Sequence, residues 1–350
     1  MRDASTLSSD ITRMPERAAP DRREHQVLVG DIGGTFARFA LARDGALLNA
    51  PQRLERALWP DLASACRHYL AESCPGAAPI DGASIAAAGR VEAGRIEMTN
   101  AEWSVDAHGL AAELGLHADR VRVLNDFGSL AWALPSLAPD ELAPVPGGAA
   151  VRAGGAAPAG RSDGNRVVVG PGTGLGVAAM LRTATGWHPL STEGGHASFA
   201  AGTPFEHVAR AFAERRFGRV SWERMLSGPG LALLHEAARL EAGEPPPRGG
   251  APETLEACAR GEPAAIRATR CFIELLGAFA GDLALLYDAA GGVVIAGGVV
   301  PRIAAVLPLD GLRMRFEDKG RFAPWLATVP VGVLTAPFAA LRGAAIAYRS

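Results

Sequence analysis

The sequence predicts two α/β domains, and three observations carry that expectation. A strand, a glycine-rich turn and a second strand occur over 26–42, turning through Gly30-Asp31-Ile32-Gly33-Gly34-Thr35. The same arrangement returns about 140 residues later, over 166–180, through Gly170-Pro171-Gly172-Thr173-Gly174-Leu175-Gly176. Apolar runs of strand length alternate with helical periodicity after each copy, the pattern of sheets covered by helices. The chain's 350 residues also exceed what one hydrophobic core usually organises.

The elements follow in order. Pro60-Asp61 opens a helix over 62–72, because proline suits the first turn and the acid accepts bonds from free N–H groups. Strands are expected over 84–88 and 95–99, a helix over 105–114, and a strand over 121–124 that ends at Asn125-Asp126. The stretch 144–164 is almost wholly Ala, Gly, Pro and Val and reads as a flexible surface loop. After the second hairpin come helices over 204–217, 229–242 and 262–287. A strand over 293–295 runs into a Gly297-Gly298 turn, and a strand over 331–334 and a helix over about 338–349 close the chain. The expected organisation is a disordered extension over 1–26, a small domain over 27–127 plus about 336–350, and a large domain over 128–335.

Composition removes several function classes. The 35 basic and 37 acidic residues give a net charge of −2, which lacks the basic excess of a nucleic-acid binder. All but one of the basic residues are arginine; the exception, Lys319, leaves no lysine for a GxxxxGK[ST] phosphate loop. Cys66, Cys74, Cys258 and Cys271 form no CxxC and read as reduced thiols. The first 26 residues mix five arginines with five acids and resemble neither a secretory signal nor a transit peptide. The most apolar stretch, 276–300, is broken by Asp282, Asp288 and glycines, so no membrane span is expected and the chain is placed in the cytoplasm.

The two glycine turns are the sharpest chemical signal. Backbone without Cβ atoms can approach a ligand closely and aim several N–H donors at phosphate oxygens. Gly33, Gly34 and Thr35 form one candidate cradle, and Gly172, Thr173 and Gly174 the other; the alternative is a pair of plain hairpin turns. Neither matches G-x-G-x-x-G, so a dinucleotide fold is disfavoured. Asp31 can hold magnesium through water, or it stabilises its own turn. Asp126, at the end of a buried strand, can take a proton from an alcohol that attacks a phosphoryl group, or it caps the next helix. Glu193-Gly194-Gly195-His196 offers a carboxylate and an imidazole for vicinal hydroxyls, with metal ligation as the weaker alternative. On pattern alone, Glu223 reads as an exposed helix residue.

Taken together, these segments resemble the bacterial glucokinase family of hexokinase-type, ATP-dependent sugar kinases, built from two ribonuclease H-like domains of the actin-like ATPase fold with a cleft between them. The resemblance runs from about residue 27 to the C-terminus. It rests on LVGDIGGT at 28–35, Met98-Thr99-Asn100 with Trp103, LNDF at 124–127, GTGLGV at 172–177, EGGH at 193–196, Glu223-Arg224 with LSGPG at 226–230, IAGGVVPR at 295–302 and FEDKGRF at 316–322. It implies that Asp126 is the general base toward the 6-hydroxyl of glucose. Asn100, Asn125, Glu193, His196 and Glu223 would bind the remaining hydroxyls. The two turns would hold ATP phosphates, Gly297 and Gly298 would flank adenosine, and Asp31 would serve Mg2+. The family also implies a homodimer. Phe36 stands where family members carry Asn, and Gly89-Arg90-Val91 where they carry Gly-Pro-Val. A kinase for another hexose or an amino sugar, a sugar or nucleotide sensor and an ATPase of the same fold are the alternative readings.

Overall fold

The computed structural model describes residues 26–74, 76, 79–98, 103–147, 161 and 163–350. The first sheet contains β1 (Gln26–Ile32), β2 (Phe36–Arg43), β3 (Ala46–Leu47), β4 (Gln52–Glu55), β5 (Gly82–Ala87) and β8 (Val121–Asn125). A small ribbon of β6 (Arg95–Glu97) and β7 (Ser104–Asp106) stands apart. The second sheet contains β9 (Leu142–Pro144), β10 (Arg166–Pro171), β11 (Leu175–Thr183), β12 (Gly186–Thr192), β13 (Gly292–Ile295) and β14 (Val331–Leu334). The duplication is topological. β1 pairs antiparallel with β2 and parallel with β5, which pairs parallel with β8; β10 pairs antiparallel with β11 and parallel with β13, which pairs parallel with β14.

Two-residue alternation decides which helices cover which face. Leu28 and Ile32 of β1 join Phe39 and Ile85 in a core shared with α1 (Leu62–His68) and α2 (Ala107–Leu114). Val27 and Val29 point the other way, onto Leu341, Ala344 and Ala345 of the C-terminal helix Ala339–Arg349. In the second sheet Val167, Val169, Val293 and Ile295 face the long helix Pro263–Leu286. Val168, Ala178 and Val294 face α3 (Asp126–Ala133).

The two sheets meet through α3 and the C-terminal helix. Gly343 lies directly on the Ser129 carbonyl, where a Cβ would collide, and Ser129 Oγ donates to Ala340 O at 2.7 Å. Arg342 forks onto both oxygens of Glu141 at 2.8 and 3.1 Å. Asp126, at the start of α3, marks the mouth between the sheets, near enough to Asp31 of the first sheet and to Glu193 after β12 to feel both charges.

Several boundaries differ from the sequence reading. The helix expected over 105–114 starts at Ala107, because Val105 pairs with Ile96 in the ribbon and Asp106 caps the helix through His108 N at 3.2 Å. The strand expected over 95–99 ends at Glu97. The helix from Leu62 leaves α geometry at Tyr69 and continues as a π turn to Ser73. Pro144 ends a strand paired to β14, so it is not loop. The extension over 1–25 and most of the alanine-rich segment, 148–160 and 162, lie outside the described residues, as do Thr99 and Asn100. No described helix is long and apolar enough to cross a membrane. The four cysteines are free, as expected.

Candidate active site

β8 delivers Asn125 and Asp126 to the mouth between the sheets. Asn125, rather than Asp126, caps α3: its Oδ1 accepts from Gly128 N at 3.0 Å, and its Nδ2 donates to Gly89 O at 3.0 Å. The cap reading for Asp126 is thereby corrected. Asp126 is the first helical residue, and its Oδ1 accepts from Phe127 N at 3.0 Å. Burial pushes its carboxyl up to about 6; the Phe127 N–H works against that shift, and the carboxylates of Asp31 and Glu193 add to it. A carboxyl with that value is ionised at neutral pH yet basic enough to accept a proton.

The residue beside it is held with unusual closeness. The Phe127 ring lies on the cross-strand pair Gly170 and Gly176, and a Cβ on either glycine would run into it. These two glycines sit in the motif read as a phosphate cradle, but their need is packing: they admit the ring that fixes Asp126. Glycine spacing alone could not separate the two demands.

Glu193, His196 and Glu223 come together although two different segments supply them. His196 Nε2 lies 3.9 Å from Glu193 Oε2, and its Nδ1 lies 3.8 Å from Glu223 Oε1. Glu223 is half-buried, and its Oε2 accepts from Leu175 N at 3.0 Å. The exposed-helix reading for Glu223 is therefore corrected. The helix Trp222–Met225 is a single turn, capped by Ser221, and turns this carboxylate onto the end of the second glycine turn. Glu193 and His196 are exposed, leaving their polar atoms open to a ligand.

The turns themselves are tight. Gly33 N donates to Phe36 O at 2.9 Å, and Gly172 N to Gly174 O at 2.8 Å. Gly34, Gly172 and Gly298 need glycine neither for packing nor for a left-handed backbone, since a Cβ on any of them meets nothing within 4 Å. Thr35 and Thr173 are exposed. Gly297 differs: its φ is +86°, and a Cβ would strike the Pro171 carbonyl, so the 297–298 turn packs directly on the second hairpin.

Asp31 and Arg38 face each other in the β1–β2 register, and Arg38 Nη1 donates to Asp31 Oδ2 at 3.2 Å. The sequence reading did not single out Arg38, though its place opposite Asp31 across the turn is the signal for it. Burial raises the Asp31 carboxyl, against the pull of Arg38. Among the described residues, no group of three or more His, Cys, Asp or Glu could cage a metal. The Asp31 charge adds to the raising of the Asp126 carboxyl, while Arg38 pairs with Asp31.

A duplicated hairpin-and-parallel-strand sheet, with a carboxyl poised near 6 beside two glycine turns and an acid–imidazole cluster, defines a sugar kinase of the actin-like fold. The glucokinase family model matches residues 28–350. A glucokinase of Chromobacterium violaceum is 40% identical, covering 91% of this chain and 88% of its own length. One from Aromatoleum aromaticum is 42% identical, covering 91% and 93%. The crystal structure of a glucokinase from an Antarctic psychrotroph superposes with a TM-score of 0.80 at 32% identity, covering 93% of this chain and 99% of that one. The chain belongs to the glucokinase family.

Proposed function

We propose that this protein transfers the γ-phosphoryl group of MgATP to the 6-hydroxyl of D-glucose, giving glucose 6-phosphate and ADP. Membership of the glucokinase family makes it an ATP-dependent hexose kinase. The observation that carries the choice of chemistry is the carboxyl of Asp126, raised toward neutrality and close enough to Asp31 and Glu193 to feel both charges.

In this reading Asp126 accepts the 6-hydroxyl proton as the phosphoryl group departs from ADP. Glu193, His196 and Glu223 accept from and donate to the other hydroxyls, with Asn100 and Asn125 completing the sugar shell. An OH-directed set of this kind rejects analogues that leave its polar atoms unpaired. The amides of Gly33, Gly34 and Thr35 and of Gly172, Thr173 and Gly174 receive phosphate oxygens, and Gly297 and Gly298 flank adenosine. Asp31 would hold Mg2+, which when bound would supply charge neutralisation on the phosphates. The lobes 27–127 plus about 336–350 and 128–335 close over the sugar and exclude water that would otherwise take the phosphoryl group. The protein acts as a homodimer in the cytoplasm.

A coupled assay of ADP release across a panel of hexoses and amino sugars tests the reading. Glucose is expected to give the highest kcat/KM, with no ATP turnover in its absence. A far higher kcat/KM for another sugar would reassign the substrate, and sugar-independent hydrolysis would reassign the protein to an ATPase.

A further inference from the structure

Arg56, in the one-turn helix Arg56–Leu58 after β4, reaches back to the first glycine turn. Its Nη1 donates to Gly34 O at 2.6 Å and to Gly33 O at 3.4 Å, and its backbone N donates to Thr35 O at 3.0 Å. The guanidinium also lies over the Trp103 ring, 5.0 Å from the centroid, and Trp103 is itself buried. Three consecutive carbonyls of the turn are thus drawn toward one residue.

The peptide bonds here are trans, and in a trans unit the C=O and the following N–H point in opposite directions. With the Gly33 and Gly34 carbonyls pulled back onto Arg56, the amides of Gly34 and Thr35 are directed away from it. Neither amide has a backbone or side-chain partner among the described residues. Gly34 and Thr35 are both exposed, and a Cβ on Gly34 would meet nothing within 4 Å. Arg56 contacts carbonyls and a ring rather than an acid, and its Nε is buried without a partner among the described residues. Among the described residues no carboxylate pairs with it, and its positive charge stands behind the turn.

We infer that Arg56 is a positioning residue for nucleotide phosphate: it fixes the first turn with two free amides facing the cleft and adds positive potential behind them, without touching the substrate. The inference rests on the reading of that turn as phosphate-binding.

The test compares wild type with Arg56→Met and Arg56→Lys, measuring Kd for ATP, ADP and adenosine by calorimetry and the KM values in the coupled assay. For Arg56→Met we expect Kd and KM for ATP to rise about tenfold, the size of one lost charge-assisted bond. Adenosine affinity and the KM for glucose should stay within about twofold, well below the effect of that lost bond. Arg56→Lys keeps the charge but not the planar guanidinium that lies on Trp103, and should fall between wild type and Met. Equal losses for adenosine and ATP, or unchanged ATP affinity, would overturn the inference. If the Met variant does not fold, the same comparison in the Lys variant decides. Wild type that binds adenosine and ATP equally well would instead overturn the phosphate reading of the turn.

Discussion

The Phe127 ring rests on the Cα of Gly176, so the hairpin read as a phosphate cradle also holds the neighbour of the proposed base. Gly176→Ala should therefore damage catalysis from within the sheet. A methyl group there forces the ring, and Asp126 with it, out of place. Overpacking of this kind costs about 1–3 kcal/mol, and a displaced base should lower kcat about tenfold or more with a smaller change in KM for glucose. Combining it with Phe127→Leu should recover part of the stability, because the two residues share one space. Urea unfolding and steady-state kinetics on the single and double variants measure both effects, and strict additivity would rule out the contact.

Asp126 gives a signed pH prediction. A base must be ionised, so log kcat/KM should fall below a midpoint near the carboxyl's value of about 6. Asp126→Asn should lower kcat by about 10²–10⁴ and remove that limb. Stability should move the opposite way. The folded carboxyl titrates about 6 rather than 3.8, so in that window the folded state holds the extra proton and stability falls as pH rises. Ionised Asp126 therefore burdens the fold above pH 6, and Asp126→Asn should gain about 2 kcal/mol at pH 8 and little at pH 3. Thermal melts at the two pH values check this, and an Asn variant less stable at pH 8 would contradict it.

The second turn allows two neighbouring glycines to be told apart. A Cβ on Gly172 meets nothing, whereas one on Gly174 runs into the Glu223 carboxylate that Leu175 N anchors. Gly172→Ala should leave the fold and the KM for glucose unchanged while raising the KM for ATP, since the methyl occupies ligand space. Gly174→Ala should push Glu223 off Leu175 N and raise the KM for glucose. Glu223→Gln, which can still accept from Leu175 N but carries no charge for His196, should raise the KM for glucose about tenfold, the scale of a charge-assisted bond. Identical kinetic profiles for the two alanine variants would defeat the division of roles.

The hairpins, with their turns at 33–35 and 172–174, were legible because strand alternation and glycine clusters are local signals. Glu223 was not legible from pattern, since a single helical turn has no periodicity and its anchor, Leu175, lies 48 residues away. Gly170 and Gly176 were legible as glycines but not as the seat of Phe127, which helix α3 supplies. Helix Asp310–Glu317 escaped as well, because it buries Arg313 and Glu317, residue types that a hydrophobic pattern assigns to solvent.

That buried pair supports the last prediction. Arg313 Nε donates to Glu317 Oε1 at 2.6 Å, and its two Nη groups donate to the carbonyls of Val329, Leu326 and Ala327 at 2.6–3.0 Å. One guanidinium thus neutralises a buried carboxylate and donates to the carbonyls at and after the end of the helix Ala323–Leu326, sharing Leu326 O with Val329 N, which lies 3.1 Å from it. Arg313→Ala would take the buried cation away from Glu317 and its donors away from the carbonyls of Ala327 and Val329, and removal of one partner from a buried ion pair costs about 3–5 kcal/mol. Arg313→Lys should lose less, because the charge survives, but more than an exposed substitution, because an ammonium cannot span all four acceptors. Both losses should appear in the urea midpoint, with kcat/KM for glucose unchanged below the transition, since the cluster touches neither glycine turn. An Arg313→Ala variant as stable as wild type would show that this guanidinium contributes nothing to the fold.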